Sequence, residues 1–245
     1  MAGGVKGGRN TELSLERDEL KRYLITQLEH FFPDDLSTSY ANNRPTGGDI
    51  DAAFAMALDR LEYCFRYINM PAYSDDRQTY FSHLHGDQYS QFLYYFANSL
   101  WDISQNRPIC DKVMQLNRLL SGCFWSYHAG LPDIFILVHA VGSVIGNAKY
   151  GNYFACSQNC TIATQNDLNN QFGEWLLMGA GSSLLNRDLK IGDRVAIGAG
   201  TQIYSESVLE DDTLAIMSEG KLVLKKRDAQ AQLNYMSFFR EKRIC

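Results

Sequence analysis

The chain has 245 residues, of which 45% are hydrophobic and 12% aromatic, so it can bury a sizeable core, and wholesale disorder is excluded. The net charge of −5 gives no electrostatic basis for wrapping nucleic acid. No apolar run is long enough to span a bilayer, and no secretory signal opens the chain, so we predict a cytoplasmic protein without a membrane span.

The six cysteines predict buried free thiols rather than a metal site. No CxxC pair occurs, and the spacings match no zinc template. Thiols in a reducing cytosol remain unpaired, and a free cysteine packs as a small apolar residue. We therefore expect no metal, and we interpret Cys156 and Cys160 as wall residues of a β-coil.

The first half of the chain has the pattern of helices. Residues 1–12 are expected to form a flexible leader, because the first ten are glycine-rich and polar. Residues 13–128 are expected to form an α-helical domain, since apolar residues recur there every three or four positions. The stripes are Leu20, Leu24, Leu28 and Phe31; Ile50, Phe54, Leu58, Leu61, Phe65 and Ile68; Phe92, Phe96, Leu100 and Ile103; and Val113, Leu116, Leu120 and Phe124.

Residues 129–218 follow a period of six, which neither a helix nor an ordinary strand has. The most regular positions, each six residues from the next, are Ile191, Ile197, Ile203 and Leu209. A β-solenoid with flat faces has this period: the aliphatic residue points into the coil, and stacked coils bury a continuous apolar column. Gly192 and Gly198 directly follow aliphatic residues, as expected at tight corners. The fold class predicted is α+β, with helices first and a parallel β-solenoid second.

Two segments depart from this period. Residues 164–175, TQNDLNNQFGEW, lack the aliphatic repeat, and we interpret them as a loop extruded at a corner that forms a wall of an active site. A neutral insertion is the alternative. Residues 219–245 are expected to form a C-terminal tail.

The segment LVHAVGSVIGNAKYGNYFACSQNCTIA, residues 137–163, together with the later GAGSSLLN and IGAGTQI, resembles serine acetyltransferase and its relatives in polysaccharide gene clusters. The resemblance implies a left-handed parallel β-helix of the hexapeptide-repeat type and acetyl-CoA as acyl donor. It also implies a homotrimer with active sites between neighbouring solenoids; whether two trimers pair stays open. His139 matches the catalytic histidine, and Ala180 and Ala199 match alanines whose backbone meets the pantetheine arm.

The chemistry of acyl transfer suits these residues. An acceptor hydroxyl must lose its proton as it attacks a thioester, and a neutral imidazole such as His139 is suited to that task. A carboxylate on the other ring nitrogen would fix the tautomer, and Asp133 is the candidate, with a turn residue after Pro132 as the alternative. Gln158 and Asn159 are candidates for contacting substrate and stabilising the oxyanion.

A slot for CoA would need small residues and cations. The small residues Gly179, Ala180, Gly181, Gly198 and Ala199 would let the pantetheine amides pair with the backbone. Lys221, in the basic segment after residue 220, is the candidate for the nucleotide phosphates, and a solvated basic tail is the alternative.

Departures from the family leave the acceptor open between serine and a sugar. Val138 stands where the family has an aspartate that holds the amino acid, and the loop lacks the family's second histidine. Phe172 and Trp175 occupy that loop, and Phe172 is a candidate for contacting a sugar face. The alternatives to a serine-type O-acetyltransferase are a sugar O- or N-acyltransferase of cell-surface polysaccharide assembly and a non-catalytic solenoid scaffold.

Overall fold

A computed structural model of the chain describes residues 11–34, 47–163, 169–205 and 207–240. Its helices are α1 (Arg17–Phe31), α2 (Gly47–Phe65), α3 (Gly86–Ser104), α4 (Arg107–Ser121) and α5 (Ala229–Tyr235). Two short strands, β1 (Thr11–Leu13) and β2 (Thr79–Phe81), pair in parallel beside the helices. No helix within the described ranges is long and apolar enough to cross a membrane.

The second half of the chain winds through short strands. In chain order they are β3 (Phe124–Trp125), β4 (Phe135–Val138), β5 (Val144–Ile145), β6 (Lys149–Tyr150), β7 (Phe154–Ser157), β8 (Thr161–Ile162), β9 (Gln171–Phe172), β10 (Leu176–Met178), β11 (Ser183–Leu184), β12 (Lys190–Ile191), β13 (Val195–Ile197), β14 (Gln202–Ile203), β15 (Val208–Leu209), β16 (Thr213–Ser218) and β17 (Lys221–Lys226). They form three faces of a prism. The six-stranded face has the order β17-β16-β13-β10-β7-β4, the five-stranded face β14-β11-β8-β5-β3, and the four-stranded face β15-β12-β9-β6.

This architecture confirms the predicted fold class, a helical N-terminal domain followed by a left-handed parallel β-helix. Successive coils stack in parallel, so that β4, β7, β10 and β13 lie side by side. Only β16 and β17, among the described strands of the prism, pair in antiparallel fashion. The last coil therefore ends in a hairpin rather than a further turn.

The apolar stripes form the core of the helical domain, as predicted. Leu20, Leu24, Leu61 and Phe92 are fully buried, and the centres of the stripes pack together. The stripes fail at their ends, since Phe31, Ile103 and Leu120 are exposed. Helix α4 begins after Asn106, whose side chain accepts the N–H of Ile109, and ends at Gly122 in the left-handed region.

The six-residue repeat places its aliphatic residues inside the prism. Ile197 and Ile203 are fully buried, and Ile191 and Leu209 nearly so. The glycine after each aliphatic residue allows the next coil to approach. A Cβ on Gly179 would lie 2.8 Å from the nitrogen of Ala199 and 2.8 Å from the oxygen of Ile197, closer than a side chain tolerates.

The domain boundaries differ from those predicted. Residues 11–13 of the predicted leader form β1, and the solenoid begins before residue 129, because β3 pairs with β5. The segment 219–245 is not simply a tail, since residues 221–226 form β17 and residues 229–235 form α5. Its last residues, 241–245, and residues 1–10 of the leader lie outside the described part of the chain.

The predicted extruded loop is also shorter than the segment 164–175. Residues 164–168 lie outside the described ranges, but Gln171 and Phe172 form β9, which pairs with β6 and β12. The six-residue period was missed here because an aromatic residue replaces the aliphatic one. Phe172 precedes Gly173 just as Ile191 precedes Gly192 in the next coil.

The C-terminal segment 228–240 crosses the outer side of the six-stranded face and returns to the helical domain. The Gln232 side chain donates to the oxygen of Thr213, and the Phe239 ring packs against Tyr153 and Trp175. At its end, the N–H of Asn69 donates to the oxygen of Phe238 at 2.7 Å. The segment thus joins the last coil to the loop after α2.

The cysteines of the described part of the chain are buried free thiols, as predicted; Cys245 lies outside it. Cys156 and Cys160 point into the prism from the two sides of one corner, in agreement with their interpretation as wall residues. Burial raises the pKa of the Cys123 thiol to about 12, so this thiol stays protonated near neutral pH.

Candidate active site

One edge of the prism gathers nearly all of the residues singled out from the sequence. It is the edge at which the six-stranded face turns into the five-stranded face, and we call it the His139 edge. It consists of the turns 139–143, 158–160, 179–182 and 198–201, which follow β4, β7, β10 and β13. Because the coils are in register, these turns stack directly on one another.

His139 lies in a turn that is longer than its neighbour. In the register of the strands, Val138 pairs with Ser157 and Val144 pairs with Thr161. The turn between the first pair and the second therefore has five residues, 139–143, in the coil of His139 and three residues, 158–160, in the next coil. The turn of His139 is thus longer by two residues. The additional residues push the turn outward, and the imidazole of His139 is 81% exposed. The residue has φ 51°, a left-handed conformation that costs a non-glycine residue about 1–2 kcal/mol.

A carboxylate from the helical domain holds this turn. Asp87, in the first turn of α3, accepts the N–H of His139 at 2.9 Å through Oδ2 and the N–H of Ala140 at 3.4 Å through Oδ1. The same Oδ2 lies 3.4 Å from Nδ1 of His139. Because Nδ1 faces a carboxylate, the protonated-Nδ1 tautomer is favoured, which leaves Nε2 as the basic nitrogen.

The prediction that Asp133 orients His139 is wrong. Asp133 is exposed, and its backbone oxygen accepts the hydroxyl of Tyr95. The extended strand β4 lies between Asp133 and His139, and at about 3.3 Å per residue its four residues alone span more than 10 Å. Asp133 is near His139 in the sequence but not in space, and Asp87 is the carboxylate beside the imidazole.

Gln158 and Asn159 occupy the His139 edge one coil further on. Both side chains are exposed, and the N–H of Asn159 donates to the oxygen of Val141 at 2.9 Å. Their coil follows that of His139 directly. The structure therefore brings both amides to the edge that carries the imidazole.

The following two coils present a narrow, nearly bare strip. Gly179, Ala180 and Gly181 stack on Gly198, Ala199 and Gly200, with no side chain larger than a methyl group. Gly181 has φ 69°, which a larger residue adopts only with strain. Lys221 is exposed at the start of β17, opposite Ser218, just past the far end of this strip.

Phe172 does not lie on the His139 edge, and its prediction as a substrate contact is wrong. It points into the prism from β9 on the four-stranded face, is 5% exposed, and packs edge-on against Tyr150. Trp175 stacks on Tyr153 with ring centroids 4.2 Å apart and is packed against Phe239. The Phe172 ring is therefore not free to bind a sugar, and one face of the Trp175 ring is covered by Tyr153.

Asp87 was not among the site residues predicted from the sequence. Its distance from His139 along the chain, 52 residues, hides the pairing from any local motif. The one available signal is its place just after Gly86 at the start of a predicted apolar stripe, where an acidic residue suits a helix N-terminus. Within the described ranges, no cluster of three or more His, Cys, Asp or Glu residues could hold a metal ion.

The fold is similar to that of several solved serine acetyltransferase structures. Serine acetyltransferase 1 of Entamoeba histolytica, in complex with L-cysteine, has a TM-score of 0.60 and 17% identity, and the match covers 85% of this chain and 90% of that one. Isoform 3 of the same organism, in complex with cysteine, has a TM-score of 0.54 and 16% identity, covering 89% and 76%. A serine acetyltransferase in complex with CoA has a TM-score of 0.56 and 18% identity, covering 85% and 95%.

The chain thus shares the fold of these serine acetyltransferase structures, a helical domain followed by a left-handed parallel β-helix. No family model matches the sequence, and no curated protein matches it.

Proposed function

We propose that the protein is an acyl-CoA-dependent O-acyltransferase that moves an acetyl group from acetyl-CoA to a hydroxyl acceptor, with His139 as general base. The observation that carries the proposal is the pair of His139 and Asp87 at one end of a bare strip of backbone. A strained, exposed imidazole held by a partly buried carboxylate is a costly arrangement in a solvent-facing turn, and such strain concentrates at functional sites.

The residues of the His139 edge divide the reaction among them. Nε2 of His139 takes the proton of the acceptor hydroxyl while its oxygen attacks the thioester carbonyl. The tetrahedral intermediate collapses with cleavage of the C–S bond, and the imidazolium returns the proton to the leaving CoA thiolate. Asp87 stabilises the imidazolium, and Gln158 or Asn159 donates an amide N–H to the oxyanion.

The strip at Gly179–Gly181 and Gly198–Gly200 supplies the slot for CoA. The pantetheine arm is proposed to lie over Ala180 and Ala199, and Lys221 to pair with a phosphate at the far end. Acetyl-CoA is a diffusible co-substrate in this proposal, and the assignment to the cytoplasm rests on the sequence.

Filling the slot is expected to weaken CoA binding. Ala180→Gln places a long side chain where the pantetheine arm would lie, so the Kd for CoA measured by calorimetry should rise at least about tenfold. Ala229→Gln, the same change at an exposed position of α5, should leave the Kd unchanged. Equal affinities in both variants would contradict the position of the slot.

The prism also supports a trimer, because its faces differ in character. The outward residues of the six-stranded face, such as Ile136 and Ala196, are already buried within a single protomer. The four-stranded face exposes Lys149 and Lys190. The outward column of the five-stranded face is uncharged: Phe124, Val144, Thr161, Ser183 and Gln202. We assign this face, which borders the His139 edge, to contacts between protomers.

A charge on that face should break the assembly. Val144 is 41% exposed, and Val144→Glu would bury a carboxylate between protomers, so sedimentation equilibrium should show a shift from trimer toward monomer. Val208→Glu makes the same change on the four-stranded face at 48% exposure and should leave the mass unchanged. A wild-type monomer, or a Val144→Glu trimer, would remove the assignment.

Two kinds of acceptor are candidates, and each defines a candidate function. The family resemblance favours serine, whereas Val138, which cannot pair with an ammonium group, favours a sugar hydroxyl or amine. A thiol-release assay with acetyl-CoA distinguishes them: turnover with serine supports the first, and turnover with sugars or nucleotide sugars alone supports the second. Absence of both turnover and CoA binding would leave a solenoid scaffold.

A further inference from the structure

The stacked turns of the His139 edge repeat one backbone position with a left-handed conformation. It is occupied by Gly142, Asn159, Gly181 and Gly200, with φ angles of 75°, 55°, 69° and 68°. Equivalence along the column follows from the hydrogen bonds of successive coils, since Gly181 donates to the oxygen of Gln158 and Gly200 to that of Ala180. Three members of the column are glycine, as this conformation favours.

Asn159 is the exception. Asparagine tolerates the left-handed region better than most residues, but glycine does so without strain. A side chain kept at a position where the neighbouring coils use glycine is an outlier that calls for a functional explanation. The preceding position shows the same contrast, because Gln158 stands where the next coils have Ala180 and Ala199.

These two side chains stand between the bare strip and the imidazole. A Cβ on Gly142 would lie 2.3 Å from Oδ1 of Asn159, so the amide of Asn159 leans over the turn that carries His139. Gln158 projects outward beside it and is exposed. Because their coil lies between the strip and the coil of His139, a thioester that follows the strip toward His139 would pass both side chains.

We propose that Gln158 and Asn159 form a step at the end of the slot that limits the transferred group to a short acyl chain. The inference rests on the proposed function and deepens it, because it assigns a structural basis for selecting an acetyl group over longer acyl groups. The bare strip accommodates the pantetheine arm, and the two amides occupy the space that further methylene groups of the acyl chain would need.

The chain itself supplies the variants for a test. Gln158→Ala and Asn159→Gly give the second coil the Ala-Gly pair of the next two coils, so the double variant should fold and its melting temperature should not fall. Calorimetry with acetyl-CoA and hexanoyl-CoA then measures the ratio of the two Kd values. We expect wild type to favour acetyl-CoA, and the double variant to shift the ratio toward hexanoyl-CoA by about tenfold or more. Gln115→Ala, an exposed amide on α4, is the matched control and should shift nothing.

The outcomes distinguish failure of the proposed step from failure of the proposed function. Wild type that binds both esters equally, or a double variant with the wild-type ratio, overturns the step while the acyltransferase proposal stands. Binding of neither ester by wild type overturns both. A double variant that loses affinity for both esters to the same extent also overturns the step, because it would make the two amides general contacts for CoA.

Discussion

His139→Ala should lower kcat for acetyl transfer at least about a hundredfold, since general base catalysis contributes about 10²–10⁴-fold. The exposed imidazole makes few packing contacts, so its removal should cost little stability. The Kd for CoA should be unchanged, because the bare strip lies in the following coils. The measurement is thiol release under saturating acetyl-CoA, combined with calorimetry for CoA.

His30→Ala is the control for this change. His30 is an exposed imidazole at the end of α1, where its ring contacts only the oxygen of Thr26 among the hydrogen-bonding groups described. Its loss should leave kcat at the wild-type value. Unchanged turnover in His139→Ala would remove the imidazole from the mechanism.

Asp87→Asn should reduce kcat by more than tenfold while the protein still binds CoA. The Asp87 carboxylate accepts two backbone N–H groups and faces Nδ1 of His139. An asparagine amide has only one oxygen acceptor, and its NH₂ group would point at one of these N–H donors. The turn should therefore shift, and the imidazolium should lose its counter-charge. The comparison of kcat with KM for each substrate is the informative measurement.

Asp133→Asn provides the contrast for this prediction. Asp133 was the carboxylate favoured by sequence, and its exposed side chain lies at the other end of β4 from His139. Activity should be retained in this variant. A loss in Asp133→Asn with none in Asp87→Asn would reverse the assignment made from the structure.

The solenoid could be predicted because each coil must bury its own aliphatic residues, and this requirement produces the six-residue repeat within a short stretch of sequence. Ile191, Ile197 and Ile203 must point inward at every coil, so their spacing reports the fold without any long-range information. The stripes of the helical domain are readable for the same reason. His139 could be singled out because it opens this repeat within a motif that resembles a known family.

Other parts depend on contacts between distant segments. Asp87 reaches His139 from another domain, and no spacing along the chain encodes that contact. Phe172 was assigned to a loop because it is aromatic and stands in a polar segment without the aliphatic repeat, although it fills the interior where the next coil has Ile191. The basic segment after residue 220 looked like a tail because lysines flank a run of only three aliphatic residues in β17, a composition that also suits a solvated segment.

The C-terminal segment that spans the six-stranded face has a consequence for folding. An open stack of coils can fray from its free end, because each coil contacts only its neighbours. Here backbone hydrogen bonds join Phe238 and Arg240, beyond the end of the stack, to residues 67–69. The last coil can therefore unfold from an intact helical domain only if these hydrogen bonds break. These contacts connect the two halves of the chain, which favours a single cooperative unfolding transition. Because they join residues that are far apart in the sequence, they also favour slow folding.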